Sequence, residues 1–449
     1  MMTSESEDNG KDTTIEGKET RNCLILASVF LAAFTAYHAL QNLQSSLNEE
    51  HDLGVFSLSA VYGAFVFSGI LAPTVIRYFG IKRCIILSWV CHLIYTISNF
   101  YPAFYTLIPS SLLLGGISGF LWTSQSTYIT ACSYSLAKRT SQETYVVLSK
   151  LTGMFYCIFQ TTQIPGNLVS SLILKQGTYD NVTTQAVCGA DYCPLSTNGT
   201  DISTPDHGVV DILLGIFITC DVLALVITLC FLSPLPKSVW IAEASLKDSL
   251  SSFFVTLFTT KFIFLVPLLL YMAVVGAFFF GDYTRSYISC PIGIHMVGFV
   301  MAAYGATNSF GSFVSSRVAK YTGRYVLFAT AALIHAAVFT TLYLWTPNET
   351  DTKYIILLPL AWAIADGIFM TQLIALVALY FPDKNEPAFA NVHTWMSLGS
   401  TLTFALSSIL CVYVKLYTMF ALLVVGMGMY VVAEILYKME TKKYLNINE

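Results

Sequence analysis

Charge is what this sequence has least of. Of its 449 residues only 11% are charged, while 55% are hydrophobic. Soluble domains carry about a quarter charged residues, so an ordinary soluble globule is excluded. Ten-residue segments of alternating polarity are also missing, which excludes an outer-membrane barrel. There is no phosphate-cradling Gly-Lys loop, no HExxH and no hydrolase elbow. No enzyme is expected, and no cofactor. The basic residues are spread at about three per loop and form no nucleic-acid surface. The N-terminal stretch "MMTSESEDNGKDTTIEGKET" lacks the basic start and small-residue cleavage site of a secretory signal. It reads as a disordered tail before an uncleaved first helix.

Long apolar runs are present instead. A run of ~20 apolar residues crosses a bilayer. Twelve such runs occur, at 22–43, 56–76, 84–101, 105–132, 147–174, 209–232, 262–282, 294–314, 324–346, 354–379, 391–413 and 416–437. In lipid the backbone must satisfy its own hydrogen bonds, so each run is predicted to be a helix. With the N-terminus cytoplasmic, 19 of the 23 Lys and Arg fall in cytoplasmic segments, and Lys175, Arg285, Lys353 and Lys415 fall outside. That bias is the positive-inside pattern. Independently, the glycosylation sequons at Asn181, Asn198 and Asn348 all fall in loops that this topology places outside. Both termini are therefore expected in the cytoplasm.

The exterior loop 175–208 also carries "CGADYC". In an oxidising exterior a disulfide between Cys188 and Cys193 is expected, with Cys290 as the competing partner. A zinc site is not, because only His207 is near and no second cysteine pair follows. Cysteines inside the apolar runs read as small fillers.

The chain repeats itself. "YGAFVFSG" at 62–69 returns as "YGATNSFG" at 304–311, 242 residues later, and each is followed by a basic loop, "RYFG" at 77–80 and "KYTG" at 320–323. "LIPSS…GFLWTSQ" at 107–125 is echoed by "LLPLA…GIFMTQ" at 357–372. The order is that of two parallel six-helix halves, the plan of the major facilitator superfamily. The expected layout is a tail, 1–21; an N-terminal half, 22–232; a cytoplasmic linker, 233–261; a C-terminal half, 262–437; and a second tail, 438–449. Facilitators usually carry a Gly-x-x-x-Asp-Arg-x-Gly-Arg-Lys-like latch after the second helix. Here Arg77 and, in the second half, Lys320 occupy the aspartate position. A cation cannot replace a carboxylate that pairs with Arg, so the usual latch is altered.

Longer segments carry a more specific resemblance. "FTAYHALQNLQSSL", "LWTSQSTYIT", "IFQTTQIPGNLVSSLI", "FFFGDYTRSYISCPIG", "ADGIFMTQ", "EPAFANVHTW" and "CVYVKLY" resemble signature segments of the unc-ninety-three family, nearest its homolog A members. The likeness covers 22–437. It implies an all-α facilitator fold and a regulatory partner of membrane proteins, a potassium channel or endosomal receptors among them, with a link to ion balance. A plasma-membrane location follows from it, with endosomal membrane second. A transporter of a small polar solute or ion is the alternative.

Polar residues inside the apolar runs are the candidate sites. Asp366 lies in "LAWAIADGIFMTQLIALVAL" and Asp221 in "GIFITCDVLAL". Each is either a proton- or cation-binding carboxylate or a hydrogen-bonded packing residue. His38, Gln41, Asn42 and Ser45 recur at i, i+3, i+4, i+7, and Gln160, Gln163 and Asn167 at i, i+3, i+7. Each set makes one polar helix face, expected to line a central cavity; Gln125 and Gln372 join them as candidates. The bland alternative is hydrogen bonding between helices. Asp282 and Arg285, at i, i+3, are expected either to pair as an outer gate or to cap a helix end. His92 and His335 have no polar neighbour at helical spacing and read as structural. Glu434 is placed to reach Lys438, and Gly115 with Gly119 to permit close helix packing. "YLNI" at 444–447 has the form of an endocytic signal.

Overall fold

A computed structural model describes residues 15–48, 50–142, 144–175, 187–194, 207–235, 246–381 and 385–448. Among these residues there is no strand; the chain is a set of helices. The N-terminal half holds α1 (Glu19–Leu47), α2 (Leu53–Phe79), α3 (Ile81–Ser98), α4 (Phe104–Thr140), α5 (Thr144–Phe159), α6 (Pro165–Leu174) and α7 (His207–Phe231). Then come α8 (Leu246–Leu257), α9 (Thr260–Phe278), a π-helix (Phe279–Ser289) and the short α10 (Cys290–Ile292). The rest is α11 (His295–Thr322), α12 (Arg324–Leu344), α13 (Thr352–Tyr380), α14 (Asn385–Ser407) and α15 (Val412–Asn448).

Among the described residues nine helices are long and apolar enough to cross a bilayer. The three other expected spans form α5 with α6, in pieces of 16 and 10 residues, α11 and α14. One of them is broken. A 3-10 turn at Gln160–Gln163 precedes Pro165, whose ring cannot continue an α-helix from the preceding turn. Linker helix α8 packs on α2, α9 and α14, and Asn391 Nδ2 donates to the Phe253 carbonyl.

Helices approach closely where side chains vanish. A Cβ at Gly115 would sit on the Val61 carbonyl, and one at Gly119 on the backbone of Ser68 and Gly69. The small-residue pair thus marks where α4 crosses α2, and Ser68 Oγ donates to the Gly115 carbonyl there at 2.9 Å.

The apolar core is not symmetric about the two halves. At the end where α1 begins, Phe30, Trp89, Leu121 and Phe155 form a core belonging to the N-terminal half. At the other end, Leu40, Leu43, Leu107 and Leu214 of that half share one core with Tyr271, Phe279 and Trp362 of the second. The broken helix shows the same difference. Piece α6 packs on α11 as well as on α1 and α7, whereas piece α5 packs on α1 and α4. The two halves share an apolar core at the end where α1 finishes, and α2 packs on α14 beside it.

Candidate functional site

Three polar assemblies lie between or within the halves. The first joins the two polar stripes. His38 Nδ1 meets the Thr162 hydroxyl at 2.9 Å, and Asn42 Nδ2 donates to Gln163 Oε1 at 3.2 Å and to Asn167 Oδ1 at 3.0 Å. Gln41 Nε2 donates to the Tyr62 hydroxyl at 3.1 Å. Asn42 thus bonds from one stripe to the other, while Gln160 is exposed.

The same region is the seam between the halves. A Cβ at Gly298 of α11 would fall on the Asn167 carbonyl, and the Phe299 amide donates to Ser171 Oγ at 2.8 Å. On the opposite flank Ser59 Oγ donates to the Thr401 carbonyl at 3.1 Å, and Tyr62 stacks on Phe404. Ser45 of the first stripe is buried and reaches the Thr284 hydroxyl of the second half at 3.3 Å.

The second assembly is at the end of the π-helix, and it corrects the expected Asp282–Arg285 pair. Arg285 Nη1 donates to Asp52 Oδ1 at 2.6 Å, and Lys415 Nζ donates to Asp282 Oδ1 at 2.6 Å. The reason is local geometry. Here the Cys290 amide bonds the Arg285 carbonyl, five residues back. A π-helix turns less per residue than an α-helix, so side chains three apart splay to different faces. Arg285 points to the N-terminal half and Asp282 towards α15.

The expected Cys188–Cys193 bond is also corrected. Cys188 is bonded to Cys290 and Cys193 to Cys411. Between the two bonds Ala190 and Tyr192 are buried, and the Val412 amide donates to the Tyr192 carbonyl at 3.0 Å. A segment of the first half's loop thus lies on the second half, which adjacency in sequence could not reveal.

The third assembly lies inside the C-terminal half. Tyr304 donates to Asp366 Oδ2 at 2.6 Å, and Asp366 Oδ1 faces His335 Nε2 at 3.4 Å, neither of these last two atoms having a hydrogen bond elsewhere. His335 Nδ1 meets the Tyr271 hydroxyl at 2.5 Å. One chain of contacts therefore links α11, α13, α12 and α9. Asp366 faces the helix bundle, and its imidazole neighbour explains how a carboxylate is carried there. His335 read as structural because its partners lie 31 and 64 residues away in sequence; no helical spacing could show them.

The remaining candidates do not converge on one cavity. Asp221 is buried and accepts from the Thr96 hydroxyl at 2.6 Å. Gln125 is buried beside Ser126. Gln372 lines a cleft of ≈ 460 Å³ with Gly323, Arg324 and Tyr325, within one half. Glu434 pairs with Arg324 of α12, not with Lys438, and accepts from Tyr325 and Tyr380; Lys438 lies over the Tyr325 ring. Asn348 is exposed, while Asn181 and Asn198 lie outside the described residues. Among the described residues no His, Cys, Asp and Glu group has metal-binding geometry.

The fold is shared with a solved transporter. The crystal structure of the nucleoside transporter NupG matches with a TM-score of 0.60 at 14% identity, covering 92% of this chain and 98% of that one. A sequence profile described as "Ion channel regulatory protein UNC-93" matches residues 47–431, and the chain belongs to that family. "Protein unc-93 homolog A" of Xenopus laevis is 37% identical over 438 residues, 95% of each chain. The homolog A of Homo sapiens is 35% identical over 429 residues, 93% of each. "Putative potassium channel regulatory protein unc-93" of Caenorhabditis elegans is 30% identical over 431 residues, 92% of this chain and 60% of that one.

Proposed function

We propose that this chain is a multi-pass membrane protein that acts as a regulatory partner of an ion channel, a potassium channel being the first choice. The observation that carries the reading is the family match over 47–431, and the name of the C. elegans relative points to the channel type. The facilitator latch supports it, since Arg77 and Lys320 stand where a carboxylate is needed. So do the bonds of Asn42 to Gln163 and Asn167, which engage those stripe groups within the bundle. The layout we favour has twelve spans, both termini cytoplasmic, glycans on Asn181, Asn198 and Asn348, and residence in the plasma membrane, with endosomal membrane second.

A secondary transporter of a small polar solute or ion is the other reading, supported by the likeness of the fold to a solved nucleoside transporter. Two measurements discriminate. Co-expression with candidate potassium channels in oocytes is expected to change current amplitude or surface density. Purified protein in liposomes is expected to show no solute uptake driven by a pH or sodium gradient. Gradient-driven uptake with unchanged channel currents would reverse the choice.

A further inference from the structure

Opening the joined face would require several contacts to part together. Arg285–Asp52, Ser45–Thr284 and Ser46–Ser289 all run from α1 or the α1–α2 turn to the π-helix. The most polar of these contacts is covered. The Tyr192 ring lies 5.2 Å from the Arg285 guanidinium and is 3% exposed. Its segment, 187–194, is held at both ends by the two disulfides, one to the end of the π-helix and one to the start of α15. Gly189 sits against Pro347 of the α12–α13 connection, where a Cβ would clash. The strap thus rests on three separate parts of the second half, directly over the ion pair that crosses to the first.

An ion pair is worth little when water reaches it and far more when water is kept out. The strap keeps water from Arg285 on one side. We propose that the disulfide-bonded strap 187–194 is a redox-sensitive latch that, while oxidised, holds this face of the seam between the halves shut. Each disulfide takes two electrons and two protons from a dithiol, giving two cysteine thiols and the oxidised dithiol. With both bonds reduced the strap keeps its packing and the Val412–Tyr192 backbone hydrogen bond but loses its covalent ties. Its departure wets Arg285–Asp52 and lowers the cost of parting α1 from the π-helix. The latch acts through this covering, not through chain tension, and it holds whichever of the two functional readings is right.

The test is hydrogen exchange on the intact chain in lipid nanodiscs, with and without dithiothreitol, free thiols at Cys188, Cys193, Cys290 and Cys411 being counted by mass spectrometry. Reduction is expected to speed exchange at least about fivefold in peptides covering 41–53 and 279–290. Peptides covering 19–30 and 132–140, at the opposite end, are expected to keep their rates. Unchanged rates in the first two peptides with all four thiols free would overturn the latch, and so would equal acceleration everywhere, which marks general unfolding. A second variant needs no reduction. Tyr192→Ala, with both disulfides intact, is expected to speed exchange in the same two peptides, and Tyr192→Phe to leave them protected. If Tyr192→Ala leaves them protected, covering is not what holds the face shut.

Discussion

Arg285 and Asp52 are 233 residues apart in sequence and 2.6 Å apart in space, and their contact ties the α1–α2 turn to the π-helix. Asp52 is presented by a tight turn in which it and His51 both have positive φ, 54° and 52°. That conformation is uncommon for residues other than glycine, Asn and Asp being the best tolerated. The turn between α1 and α2 aims the carboxylate at the π-helix.

The pair should behave asymmetrically on mutation. The side chains are 7% exposed for Arg285 and 21% for Asp52. Asp52→Asn leaves a buried guanidinium short of its carboxylate and should cost on the order of 2–4 kcal/mol. Arg285→Gln leaves a carboxylate that water can reach and should cost about half as much. Thermal unfolding in detergent micelles, run as a double-mutant cycle, reads both values; additive effects would mean the pair is not coupled.

The Asp282–Lys415 pair is more deeply enclosed, at 5% and 6% exposure. Lys415 also donates to the Ser407 carbonyl at 2.9 Å, and Ser407 donates to the same carboxylate oxygen at 2.6 Å. Lys415→Met should destabilise by about 3–5 kcal/mol, because a buried charge loses its counter-ion. Adding Asp282→Asn to it should restore most of the loss. A double variant no more stable than Lys415→Met alone would contradict this account.

Asp366 separates the two functional readings. An ionised aspartate at a helix centre costs roughly 2.5–3.5 kcal/mol to insert, a cost the Tyr304 hydrogen bond and the His335 contact offset. Asp366→Asn keeps the shape and a group that can bond Tyr304, so folding and surface delivery should survive. Asp366→Leu strands the Tyr304 hydroxyl and His335 Nε2, at about 1–3 kcal/mol each. Channel regulation should persist in Asp366→Asn if the partner reads the outer surface of the bundle. Loss of a gradient-driven uptake in the same variant would instead mark a transporter.

Close packing at the seam gives a steric prediction. Gly298→Leu would push against the Asn167 carbonyl and the Ser170 and Ser171 hydroxyls, prising α11 from α6. Expression as a monodisperse protein should drop sharply. Gly276→Ala is the control, since nothing lies within 4 Å of a Cβ there and alanine favours a helix by about 1 kcal/mol. A well-behaved Gly298→Leu protein would show that the seam is looser than described.

What the sequence by itself determined was the part of the fold set by local chemistry and by lipid. Apolar length marks the helices because a bilayer tolerates no unpaired backbone. Gly115 with Gly119 disclosed a close crossing, because the pair is written within a single segment. The polar stripes on α1 and at the α5–α6 break were visible as helix faces, since a face needs only the pitch of one helix. Which way a face turns, and what meets it, depends on other helices. Only the tertiary structure could set Asn42 against Asn167, Asp366 against His335, Glu434 against Arg324, and Cys193 against Cys411, contacts between residues from 31 to 218 positions apart. The Asp282–Arg285 spacing was misleading for a local reason as well. Three residues bring side chains together on an α-helix, and the backbone there winds as a π-helix, so each charge is carried round to a partner that the spacing alone could not name.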